Sequence, residues 1–191
     1  MADSLLPSAV EPLLRGRFGR DYRYVAECES TQRLLPDDAP EGAVAVAEVQ
    51  TAGRGRLGRS WVAPAGTSVL VSIALRPPVP TPSLPELSLV AGRAVAAAIA
   101  GVTGLEPVVK WPNDVLLEGR KVAGILAEAR EGRVVLGIGI NVTQSAGELP
   151  DRPEHPATSL LLETGREVPR GELLAAVLGE LEREYDAWVA A

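Results

Sequence analysis

Between Pro107 and Val142 the chain alternates short apolar runs with turns that are too short to contain a helix. Glu118–Arg120 and Arg130–Arg133 have the length and composition of hairpin turns, so the runs that they join are predicted to be neighbouring antiparallel strands. This part of the chain therefore predicts an antiparallel sheet. The predicted strands are Val108–Trp111, Val115–Leu117, Val122–Ala129 and Val134–Val142.

Helical and strand patterns elsewhere complete the predicted fold. A capping box of Ser83 and Glu86 opens a helix whose apolar residues recur at i, i+3, i+4 and i+7, and Gly101 and Gly104 are predicted to end it. Further helices are predicted over Leu5–Phe18 and Gly171–Val189, and further strands over Tyr22–Cys28, Ala43–Val49 and Val69–Leu75. These elements predict one α+β domain over residues 1–191, with a mixed, mostly antiparallel sheet flanked by helices.

The composition excludes several classes of protein. A formal net charge of −6 argues against a surface built to bind DNA, and no apolar stretch is long enough to cross a membrane. Cys28 is the only cysteine and His155 the only histidine, so neither an internal disulfide nor a cysteine–histidine zinc site can form. We expect a cytoplasmic protein without a protein-bound metal.

A loop rich in glycine and arginine lies within Gln50–Gly66, a segment long enough to predict a functional or mobile loop. Glycine lets the backbone bend closely around a ligand, and arginine offers forked donors to phosphate or carboxylate. The loop therefore predicts an anion site, with Trp61 as an aromatic face for a base. By composition alone, a nucleic-acid tether remains an alternative.

Lysine and asparagine are rare and close together in the sequence. The chain has seventeen arginines but only two lysines, Lys110 and Lys121, and its only asparagines are Asn113 and Asn141. A lysine kept in an arginine-rich chain suggests a site where a compact ammonium is needed. Lys110 ends an apolar run, so we expect it to point inward into a partly buried site and to need an anionic partner. A plain strand end with an Asx turn is the alternative.

In order along the chain, these motifs resemble those of the biotin protein ligases, over about residues 25–145. The resemblance rests on Glu29-Ser30-Thr31, Gln50–Arg56, Trp61, Lys110–Asp114, Lys121–Glu128 and Gly137–Val142. It implies a fold related to class II aminoacyl-tRNA synthetases. It also implies a ligase that uses ATP and Mg²⁺ to activate biotin as biotinyl-5′-AMP, and then transfers biotin to one lysine of a biotin carboxyl carrier domain.

The resemblance also assigns roles to residues. Catalytic roles fall to Lys110, Arg54, Arg56 and Asp114, with Lys110 on the biotin carboxylate and phosphate and Asp114 orienting the incoming lysine. The implied biotin-binding residues are Ser30, Thr31, Gln32, Gln50, Gly53, Arg54, Gly55, Arg56, Lys110 and Gly124. The implied adenylate-binding residues are Arg54, Arg59, Trp61, Asn113, Lys121 and Asn141. Gln32 stands where the family usually has asparagine.

Other implications concern assembly and related activities. No DNA-binding domain is expected before the catalytic region, the small C-terminal barrel of the family is expected to be absent, and a homodimer is compatible with the family. A lipoate or octanoate ligase, which uses the same activation chemistry, is an alternative activity. A truncated ligase of low activity is another.

Overall fold

The computed structural model describes residues 4–78, 85–130, 132–151 and 156–191. Its strands are β1 (Tyr22–Cys28), β2 (Val44–Gln50), β3 (Ser68–Leu75), β4 (Val108–Lys110), β5 (Asp114–Leu117), β6 (Arg120–Arg130) and β7 (Arg133–Asn141). They form a seven-stranded sheet in the order β1-β2-β3-β7-β6-β5-β4. The pair β1–β2 is parallel and the other described pairs are antiparallel, which confirms the predicted mixed, mostly antiparallel sheet.

The structure confirms the first predicted hairpin turn and the strand pairing on either side of the second. Leu117 and Arg120 pair across a two-residue turn in which Glu118 and Gly119 both have positive φ, at 48° and 76°. Such a turn matches the right-handed twist of the strands, and glycine adopts its second position without strain. The β6–β7 hairpin closes with the pair between Arg130 and Arg133.

The helices are α1 (Pro7–Val10), α2 (Leu87–Thr103), α3 (Leu160–Thr164) and α4 (Arg170–Val189). The predictions for α2 and α4 are confirmed, but the helix predicted over Leu5–Phe18 is wrong. Here α1 gives way to a 3₁₀ turn over Glu11–Leu13, because Pro12 lacks the N–H that an α-helix interior needs. Gly104 ends α2 with φ 78°, whereas Gly101 lies inside that helix. No described helix is long and apolar enough to cross a membrane.

Three features predicted or noted in the sequence lie wholly or partly outside the described residues. Ser83 of the capping box is one of them, while the carboxylate of its expected partner, Glu86, accepts a hydrogen bond from Trp188 Nε1 at 3.1 Å. The others are the Arg130–Arg133 turn, whose residue 131 is not described, and His155, the only histidine in the sequence.

The two faces of the sheet are filled differently. Helices α2 and α4 pack on one face, where alternate strand residues such as Val71, Ile125 and Ile138 join the main core. On the opposite face a smaller cluster that includes Leu35, Ala45 and Val135 covers β2, β3 and part of β7. Because side chains alternate across a strand, the residues between these core positions on β6 and β7 face the second side, and this side holds the cavity described next.

Candidate active site

A cavity of about 680 Å³ opens on the sheet face away from α2 and α4. Gly124 of β6 and Gly139 of β7 are direct cross-strand partners, and Gly137 lies two residues along on the same face of β7. All three glycines line the cavity. We call them the glycine floor. Their missing side chains leave room on a sheet whose other face is packed with large apolar residues.

The glycine–arginine segment 53–61, which we call the strap, folds as a short hairpin beside this floor. Arg54 and Ser60 form an antiparallel bridge, and the Trp61 N–H donates to Gly53 O at 2.9 Å. A Cβ atom added at Gly53 would lie 2.3 Å from the carbonyl oxygen of Trp61, so glycine is required there. The predicted loop is therefore more ordered than its composition suggests, because its backbone groups pair with one another.

Two arginines tie the strap to the rest of the cavity wall. Arg54 Nη1 lies 3.0 Å from a carboxylate oxygen of Glu128 on β6, and Arg56 Nη1 donates to Asn113 Oδ1 at 3.4 Å. Arg59 lines the cavity and forms no hydrogen bond or ion pair through its side chain with the described residues. The strap thus brings all three arginines to the cavity, and Arg59 keeps its guanidinium available to an anion.

Trp61 lies directly on the glycine floor. Cβ atoms added at Gly139 and Gly124 would lie 2.5 Å from its Cε2 and 2.9 Å from its Cζ3. Its indole Nε1 is buried and has no acceptor among the described residues. The tryptophan therefore covers the floor as a lid, with one hydrogen-bond donor unused.

The two lysines have different surroundings. Lys110 lines the cavity, but it is exposed and its ammonium pairs with no described residue, so the expected partial burial is wrong. The reason is that β4 is the edge strand: Val109 packs against Gly92 of α2, and Lys110 alternates to the open side. Lys121 Nζ instead lies 2.7 Å from Asp114 Oδ1, an ion pair without hydrogen-bond geometry, and 5.6 Å from the Trp61 ring centre.

The opposite end of the cavity is polar and buried. Gln50 Oε1 accepts from the Thr31 N–H at 2.8 Å and from Thr31 Oγ1 at 3.1 Å, which leaves the Gln50 amide hydrogens for a ligand. Thr31 Oγ1 also lies 2.7 Å from Ser72 Oγ. Ser30 is 2% exposed, lines the cavity and has no side-chain hydrogen bond to a described residue. This end therefore offers donors to a ligand carbonyl.

Asn113 and Asn141 are the remaining predicted residues and also line the cavity, but their side-chain amides donate hydrogen bonds to backbone carbonyls. Asn113 Nδ2 donates to Ile125 O at 2.9 Å, and Asn141 Nδ2 donates to Thr158 O at 3.0 Å. The structure thus brings every predicted site residue except Gly53 into the cavity lining, and Gly53 lies at the base of the strap.

Sequence reasoning missed other residues at the site. Glu128, which pairs with Arg54, is 74 residues away from it in sequence. Ser72 lies on the predicted strand Val69–Leu75, for which the sequence indicates no site residue. The cavity is also lined by Glu148, Leu149 and Pro150, which no motif indicated. Hydrogen bonds from Ser145 hold the pKa of the Glu148 carboxyl below its usual value.

Cys28 takes no part in the cavity lining. Burial, with a smaller contribution from the charge of Glu27, raises the pKa of its half-buried thiol, which disfavours the nucleophilic thiolate. Among the described residues no group of three histidine, cysteine or acidic side chains could hold a metal ion.

Comparison with known proteins identifies the family and the fold. Residues 25–145 match the model of the biotin/lipoate A/B protein ligase family. The chain belongs to this family. The match includes the polar end, the strap, the glycine floor and both lysines, and the α+β fold is that of biotin protein ligase structures.

Individual members of the family are similar over most of the chain. The chain is 41% identical to the biotin–[acetyl-CoA-carboxylase] ligase of Mycobacterium tuberculosis, over 97% of this chain and 74% of that protein. It is 39% identical to the bifunctional ligase/repressor BirA of Bacillus spizizenii, over 87% of this chain but only 54% of that protein. The biotin protein ligase of Aquifex aeolicus in complex with biotin and ATP superposes with a TM-score of 0.78 at 37% identity, covering 86% of this chain and 70% of that one.

Proposed function

We propose that this chain activates biotin with ATP, forming biotinyl-5′-AMP and pyrophosphate, and then transfers the biotinyl group to a lysine of a biotin carboxyl carrier domain. The observation that carries the proposal is one cavity with hydrogen-bond donors at a buried end, an unpaired ammonium at its open side and an arginine strap beside it. The related structure of Aquifex aeolicus, solved with biotin and ATP, supports the same pair of ligands.

The buried end suits the neutral ring of biotin. Ser30 and Gln50 each present a donor, which a urea carbonyl can accept, and Thr31 holds Gln50 in place. The ring would lie beside the glycine floor, with Gly124 and the Trp61 ring that covers it forming the wall against its apolar side. Gly53 and Gly55 let the strap approach the ligand closely.

The open side suits the reacting anions. A carboxyl group has a pKa of about 4, so the biotin carboxylate needs no base before it attacks the α-phosphate. Attack forms the acyl–phosphate bond and breaks the α–β phosphate bond, which releases pyrophosphate. Lys110, Arg54, Arg56 and Arg59 would offset the repulsion between carboxylate and phosphate, and this electrostatic stabilisation is largest in the crowded transition state.

The other polar groups suit the adenylate and the second step. Trp61, Asn113, Lys121 and Asn141 are proposed to contact the nucleotide. Because the described residues hold no acidic cluster, Mg²⁺ would be bound chiefly by the ATP phosphates. The acceptor amine then attacks the acyl carbonyl and AMP leaves. We assign Asp114 to orienting that amine, for which it would exchange its contact with Lys121.

Assembly and location belong to the same proposal. The acceptor would be the carrier domain of acetyl-CoA carboxylase or a related carboxylase, the protein would act in the cytoplasm, and a homodimer is compatible with the open edge strand β4. The chain spans only 54% of the length of the Bacillus spizizenii ligase/repressor, so transfer must be measured directly on this chain.

Pyrophosphate exchange into ATP tests the activity. We expect exchange with biotin and none with lipoate, octanoate or no acid. Exchange with lipoate instead would show a lipoate ligase, and absence of exchange with every acid would refute the proposal. Incubation with biotin, ATP and a purified carrier domain then tests transfer, read as the mass gain of one biotinyl group.

A further inference from the structure

A series of buried hydrogen bonds lies behind Asn141. Gln144 is 1% exposed, and its Nε2 donates to Asn141 Oδ1 at 3.1 Å and to Ser68 Oγ at 2.6 Å. Asn141 Nδ2 donates in turn to the carbonyl oxygen of Thr158 at 3.0 Å. Of these four residues only Asn141 lines the cavity, so the other three support it from outside the cavity lining.

The carbonyl of Thr158 determines the orientation of both amides. A backbone carbonyl can only accept a hydrogen bond, so Asn141 must turn its amide nitrogen to Thr158 and its oxygen to Gln144. That oxygen requires a donor, and Gln144 can supply one only through Nε2. Thr158 is itself held in place, because its N–H donates to Lys121 O at 2.9 Å and the Lys121 N–H donates to Pro156 O at 2.8 Å.

Gln144 leaves a hydrogen-bonding group unused in this arrangement. Its Oε1 is buried and has no hydrogen-bond partner in the described part of the chain, which is unfavourable for an acceptor. Rotating the amide would turn Oε1 to the Ser68 hydroxyl, which can donate, but would also place it against Asn141 Oδ1, a second acceptor. The unpaired oxygen is therefore a consequence of fixing Asn141, and a residue that only filled space would not need it.

The fixed amide of Asn141 presents a defined pattern to a nucleotide base. An amide oxygen has two lone pairs and an amide nitrogen has two hydrogens, so one of each remains for a ligand in the cavity. Adenine offers a matching amino donor beside a ring-nitrogen acceptor, whereas guanine has a carbonyl acceptor in place of the amino group. A fixed amide oxygen would therefore accept from adenine and repel guanine, while an amide free to rotate would accept either base.

We propose that Gln144 is a positioning residue, which fixes the amide of Asn141 and thereby selects adenine over guanine nucleotides. The inference rests on the proposed function, since it concerns the base of the ATP that this chain uses. Gln144 acts through Asn141 and touches no ligand itself. Ser68 accepts the second hydrogen bond of Gln144 and is part of the same support.

Pyrophosphate exchange with biotin, run with ATP and with GTP, tests the proposal. Gln144→Met removes the amide at nearly constant volume, and we expect the KM for ATP to rise about 10-fold, the equivalent of one hydrogen bond. The ratio of kcat/KM for ATP to that for GTP should fall by a similar factor. The affinity for biotin, measured by calorimetry, should not change, because Gln144 does not line the cavity.

Three further variants separate positioning from a loss of stability. Ser68→Ala removes one support of Gln144 and should lower the ATP-to-GTP ratio in the same direction. Adding Gln144→Met to Asn141→Ala should cause no further fall in that ratio, since Gln144 acts through Asn141. Leu174→Ala on α4 is the matched control. Leu174 lies in the main core and does not line the cavity, so this variant should lower the melting temperature and leave the ratio unchanged.

The outcomes separate this inference from the proposed function. If the wild type catalyses exchange with ATP and a folded Gln144→Met variant keeps the wild-type ratio, the role of Gln144 is refuted and the proposed function stands. If that variant does not fold, an unchanged ratio in Ser68→Ala refutes the same role. A wild type that uses ATP and GTP equally well would also refute it. If the wild type catalyses biotin-dependent exchange with neither nucleotide, both proposals fail.

Discussion

Strands β6 and β7 present two opposite faces made of alternate residues. Towards α2 and α4 they place Ile125, Ile138 and Ile140, which are buried in the main core. Towards the cavity they place the glycine floor, which is covered by Trp61 and Gln32. The comparison teaches that one hairpin separates stability from ligand binding, because large side chains fill one face and absent side chains open the other.

The largest effect is expected at the open side of the cavity. Lys110→Ala should lower biotin-dependent pyrophosphate exchange by roughly 100- to 1,000-fold, the usual loss for one electrostatic contact to a transition state. The free energy of unfolding should not change, since the side chain is exposed and unpaired. Lys110→Arg serves as the charge-preserving control. A normal exchange rate in Lys110→Ala would refute the role of this lysine.

A substitution on the face of β6 and β7 that packs against α2 and α4 should have the opposite effect, lowering stability and leaving activity unchanged. Ile140→Ala leaves a cavity in the core and should lower the free energy of unfolding by about 2–4 kcal/mol, measured by urea denaturation. Exchange per folded molecule should stay close to that of the wild type, since Ile140 does not line the cavity. A large loss of exchange at an unchanged free energy of unfolding would contradict the claim that this face serves stability and the other face serves ligand binding.

The adjacent residue tests the cavity face. Gly139→Ala adds a methyl group where Trp61 lies, and should weaken biotin binding by about 10-fold while changing the free energy of unfolding by under about 1 kcal/mol. Calorimetry and urea denaturation on the same sample measure both. Unchanged affinity would mean that the ligand does not use the glycine floor.

A smaller effect is expected at the acceptor side. Asp114→Asn should slow transfer to the carrier domain about 10-fold while adenylate formation falls less, because the carboxylate is assigned to the incoming amine. Single-turnover assays with preformed biotinyl-5′-AMP separate the two steps. Equal slowing of both would instead indicate that Asp114 acts only by holding Lys121.

The smallest effect is expected at Asp186 on α4, where a substitution should change how the melting temperature depends on pH. Hydrogen bonds from Arg17 hold the pKa of the Asp186 carboxyl on α4 below its usual value. A depressed pKa stabilises the fold above the unfolded value of about 3.9, and this contribution is lost as the pH falls through the folded pKa. The melting temperature of Asp186→Asn should therefore differ from that of the wild type at pH 7 and approach it near pH 3. A constant difference would contradict the linkage.

The sequence predicted the pairing of the strands better than the contacts and the exposure of side chains within the site. Short turns such as Glu118–Gly119 determine strand pairing locally, so the antiparallel part of the sheet was predictable. The five-residue α3 was missed because it is too short for a helical period to be recognised. The exposure of Lys110 could not be predicted, because it depends on β4 being the edge of the sheet.

Long-range contacts explain the remaining gaps. The sequence predicts only a functional or mobile loop for the strap, since neither its internal hairpin nor the contact from Arg54 to Glu128 has a local signal. No local signal relates the two glycines of β7 to distant side chains, and only the structure shows that Gln32 lies over Gly137 and Trp61 over Gly139. These residues are far apart in sequence and line one face of the cavity. Predicting their contacts requires knowledge of the order of the strands in the sheet.

A crystal structure with bound biotin and ATP tests the central claim most directly. We predict the biotin ring against Trp61, beside the glycine floor that Trp61 covers, with its urea at Ser30, Gln32 and Gln50. The carboxyl and phosphate groups should meet at Lys110 and the strap arginines. A ligand bound away from the strap, with the Lys110 ammonium paired to a protein carboxylate, would contradict it.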